Sequence, residues 1–269
     1  MASIDGLHNF RDTGGIALAG GGVVRSDVLF RSDALGALTP EGVEALAATP
    51  IGVVVDFRTP EERAMAPDRL PASRRVQLIE LPLLEGAIGQ LAGEALSSVD
   101  GTPDAAALAA AMTRLPTLGD LYVGMLAHGA EAFAATARLV AAPALDGRQP
   151  HDEPTAVLVH CTAGKDRTGV ATALLLSAAG ADREAVVADY AASAANLAGD
   201  WADGMLAMLT QFGIPLTPAL ETLVTGSPAE AIEQALDWVA AEHGDAGAYL
   251  QSGGLTDAEL AALRERLRG

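Results

Sequence analysis

Residues 155 to 179 limit what this chain can fold into more than any other stretch. They pass from an apolar, β-branched strand, Thr155 to His160, through a polar turn into an apolar helix, Val170 to Ala179. Strand, loop and helix N-terminus make a geometry that binds an oxyanion. The turn reads His160-Cys161-Thr162-Ala163-Gly164-Lys165-Asp166-Arg167-Thr168-Gly169 and contains the only cysteine and the only lysine of the 269 residues. Backbone N–H groups of residues 162 to 167 can curl around one point, and the helix dipole adds positive potential. Arg167 can offer a two-pronged donor to phosphate oxygens. Cys161 falls at the bottom of that cup.

The residue types fit one chemistry. A free thiol ionises near ~8.5, and a helix N-terminus with adjacent cations brings such a group to roughly 3.5 to 7.5, so one positive cup serves both a thiolate and a phosphate dianion. A guanidinium fork matches the planar equatorial oxygens of a phosphoryl group in transfer, which a point charge does not. Thr168 can place a hydroxyl near the sulfur and stabilise it as a leaving group, while His160 can orient the loop through its ring. Gly164 permits a tight turn. A lone cysteine after an apolar strand is more often a small buried hydrophobe, but the arginine six positions on, the Thr168-Gly169 helix entry and the lone Lys165 favour a nucleophile. His8, His128, His151 and His243 have no mutual ligand spacing, so no metal site is expected.

The run HCTAGKDRTG resembles the phosphate loop of the bacterial tyrosine-protein phosphatase family that carries the AGKDRTG form of the Cys-x5-Arg loop. The likeness continues in order along the chain. It takes in Asn9-Phe10-Arg11-Asp12 with Gly14-Gly15, Leu29-Phe30-Arg31-Ser32, and Val55-Asp56-Phe57-Arg58-Thr59 with Glu61-Glu62-Arg63. Ala188-Asp189-Tyr190, then Tyr249-Leu250 with Gly254-Leu255-Thr256, complete it. It covers essentially the whole chain, so a single phosphatase domain over 1–269 is expected. The resemblance implies hydrolysis of phosphotyrosine, and in some members of phosphoserine, phosphothreonine and phosphoinositides, through a phosphocysteine and without a cofactor. It also implies roles: Cys161 as nucleophile, Arg167 as phosphoryl-binding residue, Asp166 as general acid, and Lys165 facing the substrate with Thr162, Ala163 and Gly164. Some relatives carry an Asp after a Pro where this chain has Leu81-Pro82-Leu83-Leu84 and then Glu85, which makes Glu85 the alternative acid. A rhodanese-like sulfurtransferase and an idle phosphate-binding module are the rival readings.

Charge and hydropathy narrow the partners. A net charge of −18 argues against nucleic acid and against attraction to an anionic membrane. A phosphorylated protein or a phosphoinositide would have to be captured by a local field. Arg58, Arg63, Arg69, Arg74 and Arg75 either form a rim for extra phosphates or pair with the acids among them. The longest apolar runs fall short of the roughly 18 residues that suggest a membrane span. No signal-peptide pattern opens the chain and a lone thiol suits a reducing compartment, so a cytoplasmic location is expected.

The order of elements is α/β, with a central mostly parallel sheet flanked by helices. Short strands are read at Val23 to Val24 and Val28 to Arg31, a buried parallel strand at Ile51 to Phe57, and another at Arg75 to Leu81. Helices are read at 117 to 140 and then over 169–179, 182–197, 200–211, 218–224, 228–243 and 257–267. Thr39-Pro40 starts a helix, and Thr59-Glu62, Ser227-Glu230 and Thr256-Glu259 have the spacing of capping boxes. Residues 86–115, rich in Ala and Gly, read as a mobile insertion. Residues 196–224 read either as lid helices, with Trp201, Met205, Leu206, Met208, Leu209 and Phe212 covering the cup, or as ordinary core.

Overall fold

The architecture follows from which strands lack a polar face. A computed structural model describes residues 4–83, 115–145, 154–211 and 213–268. Its strands are β1 (Arg11–Asp12), β2 (Leu29–Ser32), β3 (Ile51–Asp56), β4 (Gln77–Glu80) and β5 (Ala156–His160). They lie in the order β1-β2-β5-β3-β4, with β1 antiparallel to β2 and the other pairings parallel. β5, every residue of it buried, is the central strand. Side chains alternate between the faces. Phe30, Val54, Ala156 and Leu158 join Leu35, Leu38 and Leu46 on one side, while Leu29, Val55, Val157 and Val159 join the larger cluster on the other.

Ile51 and Val54, three residues apart, share a face because the register slips between Ile51 and Val53. The extra residue is Gly52, where a Cβ would sit 2.0 Å from the Pro154 carbonyl oxygen, so only glycine fits this bulge.

Helix α1 (Pro40–Ala47) lies on the smaller core, followed by the short α2 (Pro60–Met65). On the other face are α3 (Leu118–Leu145), α4 (Arg167–Ala178), α5 (Arg183–Leu197), α6 (Asp200–Gln211), α7 (Pro218–Thr225), α8 (Ala229–His243), α9 (Ala246–Ser252) and α10 (Asp257–Arg268). α3 packs against α8, α9 and α10 and spans this layer. The expected mostly parallel sheet between helices is what forms. Val23 makes only an isolated bridge to Ala17, not a strand, and α9 and β1 were absent from the sequence reading. α3 runs through Pro143 to Leu145, past position 140 where the helix read from the sequence ends. Phe212 and nearly all of 86–115 lie outside the described residues. α6 has no buried side chain, whereas α7 buries Leu220 and Leu223.

The capping boxes divide. Thr59 with Glu62 and Thr256 with Glu259 close reciprocally as expected. Ser227 does not cap α8: its hydroxyl donates to the Ala191 carbonyl and accepts from the Ala194 N–H, which ties it to α5 instead.

Candidate active site

The C-terminal ends of β2, β5 and β3 are level, with Ser32 and Asp56 both in register with His160. Ligand sites of parallel sheets lie beyond such an edge. Cys161 is the next residue, buried to 1% exposure, and the loop from there to Asp166 joins β5 to α4. Its carbonyls are turned outward and held. Thr162 O accepts from the Ala34 N–H, Ala163 O from Asn9 Nδ2, and Gly164 O from both Asn9 Nδ2 and Arg31 Nη2. Among the described residues, the N–H groups of 162 to 166 meet no acceptor. A peptide plane whose carbonyl is fixed outward presents its N–H inward, so the scaffold turns these amides toward the inside of the loop, an arrangement that suits an anion. Gly164 has φ +67, and a Cβ there would lie 2.2 Å from the Ser32 carbonyl oxygen.

Arg167, at the start of α4, meets Glu62 of α2 through two parallel bonds of 2.6 Å, and its Nη1 also reaches the Phe57 carbonyl at 3.3 Å. Thr162 donates to the same carboxylate at 2.6 Å, and the Thr59 N–H adds a fourth bond at 2.8 Å. Burial disfavours a charged Glu62, but the hydrogen bonds and charge of Arg167, with Thr162 and Thr59, outweigh it and hold the carboxyl at about 2. The guanidinium plane of Arg167 is thereby set before any substrate enters. Thr168 is fully buried, and its hydroxyl has no partner among the described residues.

Asp166 occupies the N-cap position of α4, yet its side chain makes no capping bond. Its Oδ1 accepts from Tyr122 of α3 at 2.6 Å and from Lys165 Nζ at 2.8 Å. The Tyr122 hydroxyl lies 2.7 Å from that of Tyr190 on α5. Lys165 is 1% exposed and its amine also donates to the Leu223 carbonyl at 3.0 Å. The sequence reading gave Lys165 a free amine facing the substrate. Here that amine joins the loop to the last turns of α7.

Behind the loop lies a buried polar layer that sequence reasoning did not assign. Arg31 and Arg11 grip Asp189 at 2.6 and 2.8 Å, and both donate to Ser193 Oγ at 3.2 Å. Asp189 stays below its ordinary value although burial opposes this, because Arg31 and Arg11 outweigh it. Burial, then the charge of Arg31, lowers Arg11 to about 10 against the pull of Asp189. The signal was present as the landmarks around Asn9, Arg31 and Asp189, whose polar residues fall in otherwise apolar strands and helices.

His160 is fully buried, its Nδ1 3.4 Å from the Cys161 carbonyl and its Nε2 3.3 Å from Asp68 Oδ2, without the alignment of a straight hydrogen bond. Asp56, Asp68 and His160 bring ligand atoms within 4.8 Å of one another. Arg58 already fills the cationic role there, bonded to Asp56 at 2.9 Å and to Asp68 at 2.8 Å. At 1% exposure Arg58 is no rim residue for phosphate. Arg63 pairs with Glu80, so pairing with acids holds for Arg58 and Arg63, whereas Arg69 and Arg74 donate to backbone carbonyls instead. Glu85, the alternative acid, lies outside the described residues.

The comparisons agree with this geometry. A sequence model described as "Tyrosine phosphatase family" matches residues 2–269. A Cupriavidus necator protein provisionally named a tyrosine-protein phosphatase is 30% identical, over 97% of this chain and 86% of that one. A Nostoc commune tyrosine-protein phosphatase is 34% identical over 65% of this chain and 51% of its own length. The triple specificity protein phosphatase PtpB of Mycobacterium tuberculosis is 31% identical over 100% of this chain and 99% of its own. With the Cys-x5-Arg loop held as described and matches that run its full length, this chain belongs to the tyrosine phosphatase family and is a phosphatase.

Proposed function

We propose that the protein is one phosphatase domain, residues 1–269, that hydrolyses phosphate monoesters in two steps through a phosphocysteine. The observation that carries this reading is the loop itself, with its carbonyls anchored outward, its amides without acceptors among the described residues and Cys161 beneath them. The Cys161 thiolate attacks phosphorus as the bond to the leaving oxygen breaks, and Asp166 gives that oxygen its proton. Arg167 and the loop amides of Thr162, Ala163, Gly164 and Lys165 hold the equatorial oxygens. Water then attacks phosphorus, its proton passes to Asp166, and the S–P bond breaks to return thiolate and inorganic phosphate. The Thr168 hydroxyl, without a partner among the described residues, stabilises the departing sulfur, and His160 anchors the loop on the Asp68 side.

Phosphotyrosine is the primary substrate class. Phosphoserine, phosphothreonine and phosphoinositides are added on the likeness to a relative named for triple specificity. The helices across 196–224 act as a lid, supported by the absence of buried side chains in α6 and by the docking of α7 on Lys165. No helix among the described residues is long and apolar enough to cross a membrane. We assign the protein to the cytoplasm because its mechanism needs a reduced thiol. The test is Cys161→Ser, assayed on a phosphotyrosine peptide, a phosphoserine peptide and a phosphoinositide. Turnover falls below detection on all three while inorganic phosphate still binds. Residual activity within tenfold of the parent overturns the mechanism.

A further inference from the structure

We infer that Tyr122 is the positioning residue of the proton donor, fixing the Asp166 carboxyl by one oxygen so that the other faces the leaving group. The inference rests on the reading of Asp166 as the acid.

An aspartate at an N-cap normally accepts from the first amides of its helix. The Asp166 side chain does not. It is turned away to Tyr122 and Lys165, both of which donate to Oδ1. That leaves the amides of the helix start to an incoming anion and leaves Oδ2, without a partner among the described residues, to carry the proton. Of the two donors, Lys165 belongs to the same loop and moves with it. Tyr122 comes from α3, is fully buried, and stands edge-on to Tyr190 with ring centroids 5.9 Å apart and planes at 84°. It is the fixed point of the pair.

The direction of the chain follows from the acceptor. With the proton placed on Oδ2, Oδ1 only accepts before and after the transfer, so Tyr122 donates to Asp166 and Tyr190 donates to Tyr122. Burial, then the nearby charge of Asp166, keeps both phenols protonated above their ordinary range, so Tyr122 remains a donor throughout the cycle. As the leaving oxygen takes the Oδ2 proton, negative charge grows on the carboxylate and the Tyr122 bond strengthens. An interaction stronger in the transition state than in the ground state accelerates the step. Tyr122 itself transfers no proton.

The test compares the parent, Tyr122→Phe, Asp166→Asn and their double variant on p-nitrophenyl phosphate and on a phosphoserine peptide. Tyr122→Phe should lose about tenfold in kcat on the alkyl ester, the rate equivalent of one well-placed hydrogen bond. It should lose less than about threefold on the activated aryl ester, and nothing further in the Asp166→Asn background. Tyr122→Phe with Tyr190→Phe leaves no orphaned hydroxyl and repeats the test if the single variant folds poorly. Equal losses on both substrates, or an undiminished loss in the Asp166→Asn background, would overturn the positioning role and leave the acid assignment standing. If Asp166→Asn shows no dependence on the leaving group, the acid assignment falls and the inference with it.

Discussion

Glu62 meets Arg167, Thr162 and the Thr59 N–H at once, so a residue the sequence shows as a family landmark and the last member of a capping box also fixes the Arg167 guanidinium. Its folded value of about 2 lies below the ordinary 4.5. A carboxyl depressed on folding contributes stability that is complete above its ordinary value and is lost as pH falls through the folded one. Glu62→Gln should therefore unfold at lower urea than the parent at pH 6, with the gap narrowing at pH 3. A constant gap would show that Glu62 acts by packing alone. The same variant should raise KM for phosphate esters, because Arg167 loses the partner that fixes its plane. The loop that holds Cys161, Asp166 and Arg167 was legible because its spacing is local. Tyr122 was not, and Asn9 and Arg31 showed only as landmarks without partners, since a hydrogen bond across more than forty positions leaves no periodic trace.

Elements were readable wherever their signals were local. The strand at Ile51, the helices after Thr168 other than α9 and two of three capping boxes followed from periodicity and caps. Ser227 failed because α5 takes its hydroxyl, and that competitor lies more than thirty positions away. β1, at two residues, is too short for alternation to show. Two glycines give opposite expectations. Gly52→Ala puts a Cβ against the Pro154 carbonyl at the β3 bulge and should cost about 1–3 kcal/mol of stability, as overpacking does. Gly124 lies exposed in α3 with nothing within 4 Å of a built Cβ, so Gly124→Ala should add about 0.4–1 kcal/mol through a stiffer unfolded chain. Urea denaturation of both variants checks the pair, and a stabilised Gly52→Ala would refute the bulge argument.

The protein as a whole repels its own substrate. Its net charge is −18, and the loop cations are matched locally, Arg167 by Glu62 and Lys165 by Asp166. The Debye length is about 30 Å at 0.01 M salt and about 8 Å at 0.15 M. Raising sodium chloride across that range should screen the distant acids before the cup, and kcat/KM for a dianionic aryl phosphate should rise and then level off. A steady fall would mean that the field of the cup dominates at all distances.

Asn9 and Gly164 are 155 positions apart, Arg31 and Gly164 are 133, and Arg31 and Asp189 are 158. Closing such long loops costs entropy before any contact rewards it. The helices from α4 to α10 can form from neighbours in sequence, but the partners that hold the outward-facing carbonyls of the phosphate loop, Asn9, Arg31 and Ala34, come from the first thirty-four residues. In time, therefore, the chain gathers its helices first and its chemistry last. A protein that has just left the ribosome carries its lone cysteine for some interval without the loop that later encloses it.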